Sequence, residues 1–226
     1  MANGSAPDSR LPRLRAATAS VASARAQPAR VRRTLLFALG AVASALLLAF
    51  VWAHLAFPSD RTPQGAYLRV VIAVNRGRAQ DFFAYTETRA QHACYTIRDY
   101  RKKTRDRVLK SFPEPERSRL AAEYADEAGA PDGADVLAIY AKRNGWMNRL
   151  RKDMSGIAQV EERGERATVQ TAHGTRYPFR RRDNGIWGLT LFTATLGGEA
   201  EKAARDLALI EKAASDYEHA AKAETP

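Results

Sequence analysis

The feature that most constrains this chain is the run Thr34 to Phe57, 24 residues without one side chain charged at neutral pH. At a rise of about 1.5 Å per residue, a helix of that length spans about 36 Å, enough for a hydrocarbon core of about 30 Å. A helix satisfies its own backbone hydrogen bonds, so lipid is a tolerable solvent for it. The run therefore predicts one transmembrane helix. Arg30, Arg32 and Arg33 bound one end, Trp52 and Phe57 mark the other, and Pro58 stops the helix. Two competing readings are a cleaved signal peptide, with Val51-Trp52-Ala53 as its small-residue site, and a buried core helix. The long segment ahead of the run argues against the first, and apolar character on every face argues against the second.

Orientation follows from the flanking cations. Five arginines stand in the twenty residues before the run (15, 25, 30, 32 and 33) and three in the twenty after it (61, 69 and 76). That bias predicts a cytoplasmic N-terminus. The bias toward Ala and Arg is that of a high-GC bacterial coding sequence, so the expected place is the bacterial inner membrane, with the following domain in the periplasm. Within the run, Gly40, Ala41, Ser44 and Ala45 form a small-residue face through which two such helices can approach closely. No cysteine follows the run at a position for lipid attachment.

The rest of the chain divides on composition. Residues 1–33 carry seven arginines against one acid, +6 of the net +11, with no apolar period. They read as a disordered basic cytoplasmic tail able to touch anionic headgroups. Residues 58–63 read as a linker, 64–198 as an α+β domain and 199–226 as a C-terminal helix. Most of the excess charge is thus in the tail and says little about the domain's partners.

Within the domain, Thr62-Pro63 predicts an N-cap followed by the first helical residue, because proline lacks the N–H that would be orphaned there. Tyr67, Val70, Val71 and Val74 recur at helical spacing, and Gly77 suits a left-handed helix end. Further helices are expected at Ala79 to Tyr85, Thr88 to Phe112, Glu116 to Ala128, around Val136 to Tyr140 and at Trp146 to Met154. The charged centre of the long one, Arg98 to Arg107, reads as solvated. The period then changes to two. Ile157 to Arg163, Glu165 to Thr171, Arg176 to Arg182 and Ile186 to Phe192 predict four antiparallel strands joined by short turns bearing glycine. One face is expected to carry Ala167, Val169 and Thr171, with Tyr177, Phe179, Trp187, Leu189 and Leu191. A last helix, Glu199 to Lys222, carries Ala200, Ala203, Leu207, Ile210, Ala214, Tyr217 and Ala221 at alternating spacings of three and four. This stripe suits packing on its own domain or pairing with a second chain.

Three segments, Thr62-Pro-Gln-Gly-Ala-Tyr67, Asn75-Arg-Gly-Arg-Ala79 and Arg176-Tyr-Pro-Phe-Arg-Arg-Arg-Asp-Asn-Gly-Ile-Trp187, resemble the nuclear transport factor two-like domains of bacterial envelope proteins. The resemblance covers roughly Thr62 to Phe192. It implies a cone-shaped α+β fold in which a curved sheet closes over helices. Enzymes of that fold use an Asp or Tyr inside the cone, so Tyr67, Trp146, Tyr177 and Trp187 are candidates to line such a cavity. The fold hosts both enzymes and non-enzymes and does not decide activity.

Chemistry-bearing residues are sparse. His54, His92, His173 and His219 do not pair with one another or with Cys at ligand spacing, so no metal and no cofactor is expected. Cys94, the single cysteine, reads as a core thiol. No nucleophile elbow, zincin motif or P-loop is present. Asp81 and Asp99 are available acids that nothing in the sequence places in a pocket. Arg176, Arg180, Arg181 and Arg182 form a candidate basic patch. It lacks the interleaved aromatic residues of a nucleic-acid binder, so nucleic acid is not the expected partner. The sequence therefore reads as a single-pass, non-catalytic binding or scaffold protein of the envelope. Its expected partners are membrane lipid and an envelope protein, with a homodimer through the transmembrane or C-terminal helix in view. The alternatives are a membrane-tethered enzyme using the cone cavity and a cytoplasmic-facing regulator of reversed topology.

Overall fold

In the structure, a computed structural model, residues 39–50 and 57–223 are described, and the chain divides into two units at residues 1–56 and 57–226. In the first unit residues 39–50 are helical (α1), with Leu39, Val42, Leu46, Leu47 and Leu48 exposed. The remainder of the uncharged run and the basic tail lie outside the described residues. No helix among the described residues is long and apolar enough to cross a membrane.

The second unit begins with α2, Pro63–Asn75. Thr62 caps it by accepting from the Gly65 N–H at 3.2 Å, and Pro63 takes the first helical position. It ends in a paired closure around Gly77, whose φ is +72°. The Arg78 N–H donates to the Ala73 carbonyl and the Gly77 N–H to the Val74 carbonyl, both at 3.1 Å, which satisfies carbonyls the helix end would orphan. A 3-10 helix follows at Ala79–Tyr85, then α3, Thr88–Ser111. The expected helix from Glu116 is two, α4 (Glu116–Glu123) and α5 (Ala125–Ala128), because Tyr124 leaves helical geometry at φ −94° and ψ 0°. Next come α6, Gly133–Arg143, and α7, Trp146–Asp153, separated by Gly145 at φ +64°.

The four strands are β1 (Ile157–Arg163), β2 (Arg166–Thr171), β3 (Arg176–Arg181) and β4 (Trp187–Leu189). They pair antiparallel in chain order. The register sets Ala167 opposite Phe179, Val169 opposite Tyr177 and Phe179 opposite Leu189, so the apolar residues share the inner face. The chain is thus α+β, with a four-stranded antiparallel sheet and a long C-terminal helix, α8 (Thr193–Ala223).

Two expectations need correction here. The fourth strand stops at Leu189 rather than Phe192, and Leu191 leaves the inner face to stand 46% exposed. The last helix starts six residues earlier than Glu199, at Thr193, and runs through Gly197 and Gly198. Those glycines lower helix propensity, but Leu196 beside them is fully buried in the main core. Tertiary packing outweighs local preference at that turn.

The core lies between the sheet's inner face and helices α2, α3 and α6. Trp187, Tyr67, Phe82, Phe179, Leu137 and Leu196 fill it, each almost wholly removed from water. A second, smaller core of Val108, Phe112, Tyr124, Ile210 and Ala214 joins the far ends of α3 and α8. These two long helices run parallel. Thr193 meets Glu87 at their starts, Arg101 meets Asp206 midway, and Arg107 meets Glu218 near their ends. The stripe of Ala203, Leu207, Ile210 and Ala214 is consumed in this packing.

Candidate functional site

Three groups of sequence candidates are described. The small residues Gly40, Ala41, Ser44 and Ala45 lie on the helical stretch of the first unit and are exposed, with nothing within 4 Å of a side chain added at Gly40. The other two groups belong to the domain.

The four aromatic candidates separate into pairs. Tyr67 and Trp187 are core. The Tyr67 hydroxyl donates to the Ser155 carbonyl at 2.8 Å, while the Ser155 N–H donates back to it at 3.2 Å. Burial pushes the Tyr67 phenol upward from its usual pKa. The Trp187 indole N–H donates to the Arg61 carbonyl at 3.1 Å. Both side chains are buried in the main core of the domain. Trp146 and Tyr177, by contrast, border a surface cleft of about 210 Å³.

This cleft is built by the C-terminal half of the domain. Trp146 sits on the first residue of α7 and stacks on Phe192 at 4.3 Å between ring centroids. Leu150, one turn on, is buried beside it. Tyr177 enters from β3 with its ring 5.5 Å from that of Tyr67. Its phenol is pushed up to about 12 by burial, then by Tyr67 and Asp153, so it stays protonated at neutral pH. Leu191 stands at the lip because β4 has ended before it. Arg149, Asp153, Thr175 and Arg176 supply a polar rim. The result is a small socket with an apolar floor, an exposed aliphatic edge and charges of both signs around it. Ligand pockets for small molecules are commonly about 300–1,000 Å³, so the socket suits one side chain of a partner better than a whole substrate.

The basic patch does not form a free strip. Arg176 reaches Glu161 at 3.3 Å and Arg180 reaches Glu87 at the same distance. Arg182 donates to the Ala84 carbonyl at 2.6 Å and to Gln91 Oε1 at 2.8 Å, tying the hairpin end to the 3-10 helix and α3. Arg181 is exposed and takes no part in this pairing. A different basic feature occupies the outer face of the sheet. Arg163 stands opposite Arg166, and Arg166 opposite Arg180, a row of three cations across three strands. The register sets them side by side, Arg163 and Arg166 across one hairpin turn and Arg180 on the next strand.

Buried charges were also hidden. Arg101 is buried and bonded to Asp206, which corrects the expectation that Arg98 to Arg107 is solvated. Glu127 is buried against Arg143 at 2.8 Å. The buried Glu87 carboxylate accepts from Thr193 Oγ1 at 2.8 Å and from Arg180, binding the starts of α3 and α8 to the sheet. In each pair the acid is met by an arginine, and the Glu87 carboxylate by the Thr193 hydroxyl as well. Cys94 is buried and its thiol is pushed up to about 12 by desolvation, which leaves it un-ionised and a poor nucleophile. No cluster of three or more His, Cys, Asp or Glu residues that could hold a metal occurs among the described residues. Comparison with protein-family models, with curated proteins and with solved structures finds no match to this chain.

Proposed function

We propose that this chain is a single-pass anchored binding protein of the bacterial envelope, whose domain holds a protein partner through the cleft of Trp146, Tyr177 and Leu191. The observation that carries the reading is the contrast between a filled interior and a socketed surface. Trp187 is 1% exposed and Leu189 and Leu196 are fully buried at the heart of the domain. The Trp146 cleft opens outward instead, with Leu191 presented at its edge. Exposed apolar groups beside an aromatic floor and a charged rim are the composition of a protein-binding hot spot.

The anchor half of the proposal rests on the uncharged run and on the arginine bias across it. It puts the N-terminus in the cytoplasm and the domain in the periplasm. The nuclear transport factor two-like reading is part of the same proposal, supported by a leading helix and by an antiparallel meander with helices packed on one face.

The test has two arms. A C-terminal alkaline phosphatase fusion is expected to be active and a green fluorescent fusion exported by the general secretory route to be dark. Affinity purification of the full chain from membranes is expected to retain a partner that Leu191→Asp releases. The reverse pair of fusion results contradicts the orientation, and a partner indifferent to Leu191→Asp contradicts the site.

A further inference from the structure

We propose that the surface around Phe57, Arg69 and Arg76 is a seat for the phosphate groups of anionic phospholipids, which hold the domain against the bilayer. This inference rests on the anchor reading above. Phe57 is the last residue of the uncharged run, yet it belongs to the folded unit. The Arg69 guanidinium lies 4.8 Å from the centre of its ring and 5.9 Å from that of Tyr85. Arg69 also donates to the carbonyls of Pro58 and Gly65, at 2.8 and 3.0 Å. Trp187 grips the same strap: its indole N–H is on the Arg61 carbonyl at 3.1 Å and its backbone N–H on the Asp60 carbonyl at 3.2 Å. The expected linker is therefore stitched to the domain through Pro58, Asp60 and Arg61. A run that leaves the hydrocarbon at Phe57 delivers the neighbours of Phe57 to the headgroup layer.

Those neighbours suit that layer. The groove beside Phe57 measures about 410 Å³ and is bordered by Arg69, Ile72, Arg76, Arg78, Asp81 and Tyr85. Three cations face one acid. Asp81 is taken by Arg78 at 2.6 Å, and Arg69 comes no nearer than 3.9 Å to Asp60. Arg76 is exposed and makes no ion pair among the described residues. Arg69 and Ile72 on α2 and Arg76 at its C-cap are spaced by three and four residues, so they share one face of the helix end. Guanidinium groups bind phosphate oxygens in bidentate fashion, and aromatic rings settle at the headgroup level. Anionic leaflets attract cations placed within about a Debye length of the surface. The unpartnered buried arginine nitrogens of the described residues, on Arg105 and Arg182, lie elsewhere. The groove thus suits a layer of phosphates rather than one captured ion.

The experiment uses the full chain in lipid nanodiscs, carrying Cys94→Ser and Gln80→Cys, a probe position exposed beside the groove. Alkylation by a membrane-impermeant maleimide is timed in phosphatidylcholine discs and in discs with 30 mol% phosphatidylglycerol. The anionic lipid is expected to slow the reaction at position 80 at least fivefold. It is expected to leave an Ala158→Cys probe on β1 unchanged, and Arg76→Glu is expected to remove the slowing. Equal rates in the two lipids, or slowing that survives Arg76→Glu, overturns the seat while leaving the anchor intact. Slowing in phosphatidylcholine discs by 10 mM inorganic phosphate alone also overturns it, in favour of a soluble anion. Loss of the chain from the discs in an alkaline wash overturns the anchor reading, and the seat with it.

Discussion

Arg101 and Asp206 form an ion pair at 2.6 Å midway along the parallel helices α3 and α8, with the guanidinium 5.0 Å from the centre of the Tyr124 ring. Arg101 is the more buried partner. Removing one member of such a pair leaves a charge without compensation, which typically costs about 3–5 kcal/mol. Asp206 retains some access to water, so the lower part of that range applies. Arg101→Ala is expected to lower stability by about 3 kcal/mol, and Arg101→Met with Asp206→Leu to recover most of it. Thermal unfolding of the three chains in one mild detergent checks this.

The outer-face row Arg163, Arg166 and Arg180 sets like charges opposite one another across neighbouring strands. Such pairs are destabilising by about 0.2–1 kcal/mol. Arg166→Glu sets an acid opposite Arg163 and beside Arg180, whose charge Glu87 already meets in part, and is expected to raise the unfolding temperature. A fall would show that Arg166 supports the sheet in a way its pairing does not predict.

Gly65 and Gly188 mark close backbone approaches. A Cβ at Gly65 would lie 2.0 Å from the Ser59 carbonyl oxygen, and one at Gly188 would lie 2.6 Å from that of Thr86. Neither neighbour can yield, because both are main chain. Gly65→Ala is expected to displace the strap of Pro58 to Thr62 and to cost the Trp187 indole its hydrogen bond, a loss of about 2 kcal/mol or more. Gly156→Ala, with open space around it, serves as the neutral control. Equal melting of all three chains would contradict the packing at the strap.

Glu218 accepts from Ser111 Oγ at 2.6 Å and from Arg107 at the same distance. The Ser111 hydroxyl first and Arg107 second hold its carboxyl down to about 2. A depressed carboxylate contributes stability at any pH above its unfolded-state value and loses it as pH falls toward the folded value. The stability difference between the chain and its Glu218→Gln variant is therefore expected to be constant near neutrality. It should shrink between about pH 4.5 and pH 2. Paired acid titrations of the unfolding temperature measure it.

What the sequence disclosed follows from local chemistry. The Thr62 cap, the Gly77 helix end and the turns at Gly164, Gly174 and Gly185 were legible because each rests on a neighbour-range rule, and all four glycines adopt positive φ. The strand faces were legible because alternation survives in Ala167, Val169, Tyr177 and Phe179. The pairings of Arg101 with Asp206 and of Glu87 with Arg180 were not, since each joins residues about a hundred positions apart. Of the aromatic candidates, Trp146 and Tyr177 reach the cleft while Tyr67 and Trp187 do not. All four are buried aromatic residues, and only their placement in the fold separates the two that border the cleft from the two that do not.

The most direct test of an anchored binding protein is site-specific photocrosslinking in living cells, with a benzophenone amino acid at Leu191 and, as control, at the exposed Ala158. The expected result is one discrete adduct that depends on the probe at 191, recovered in membranes that survive alkaline extraction. Full-length, uncut protein in the soluble fraction, with no adduct specific to position 191, would contradict the account.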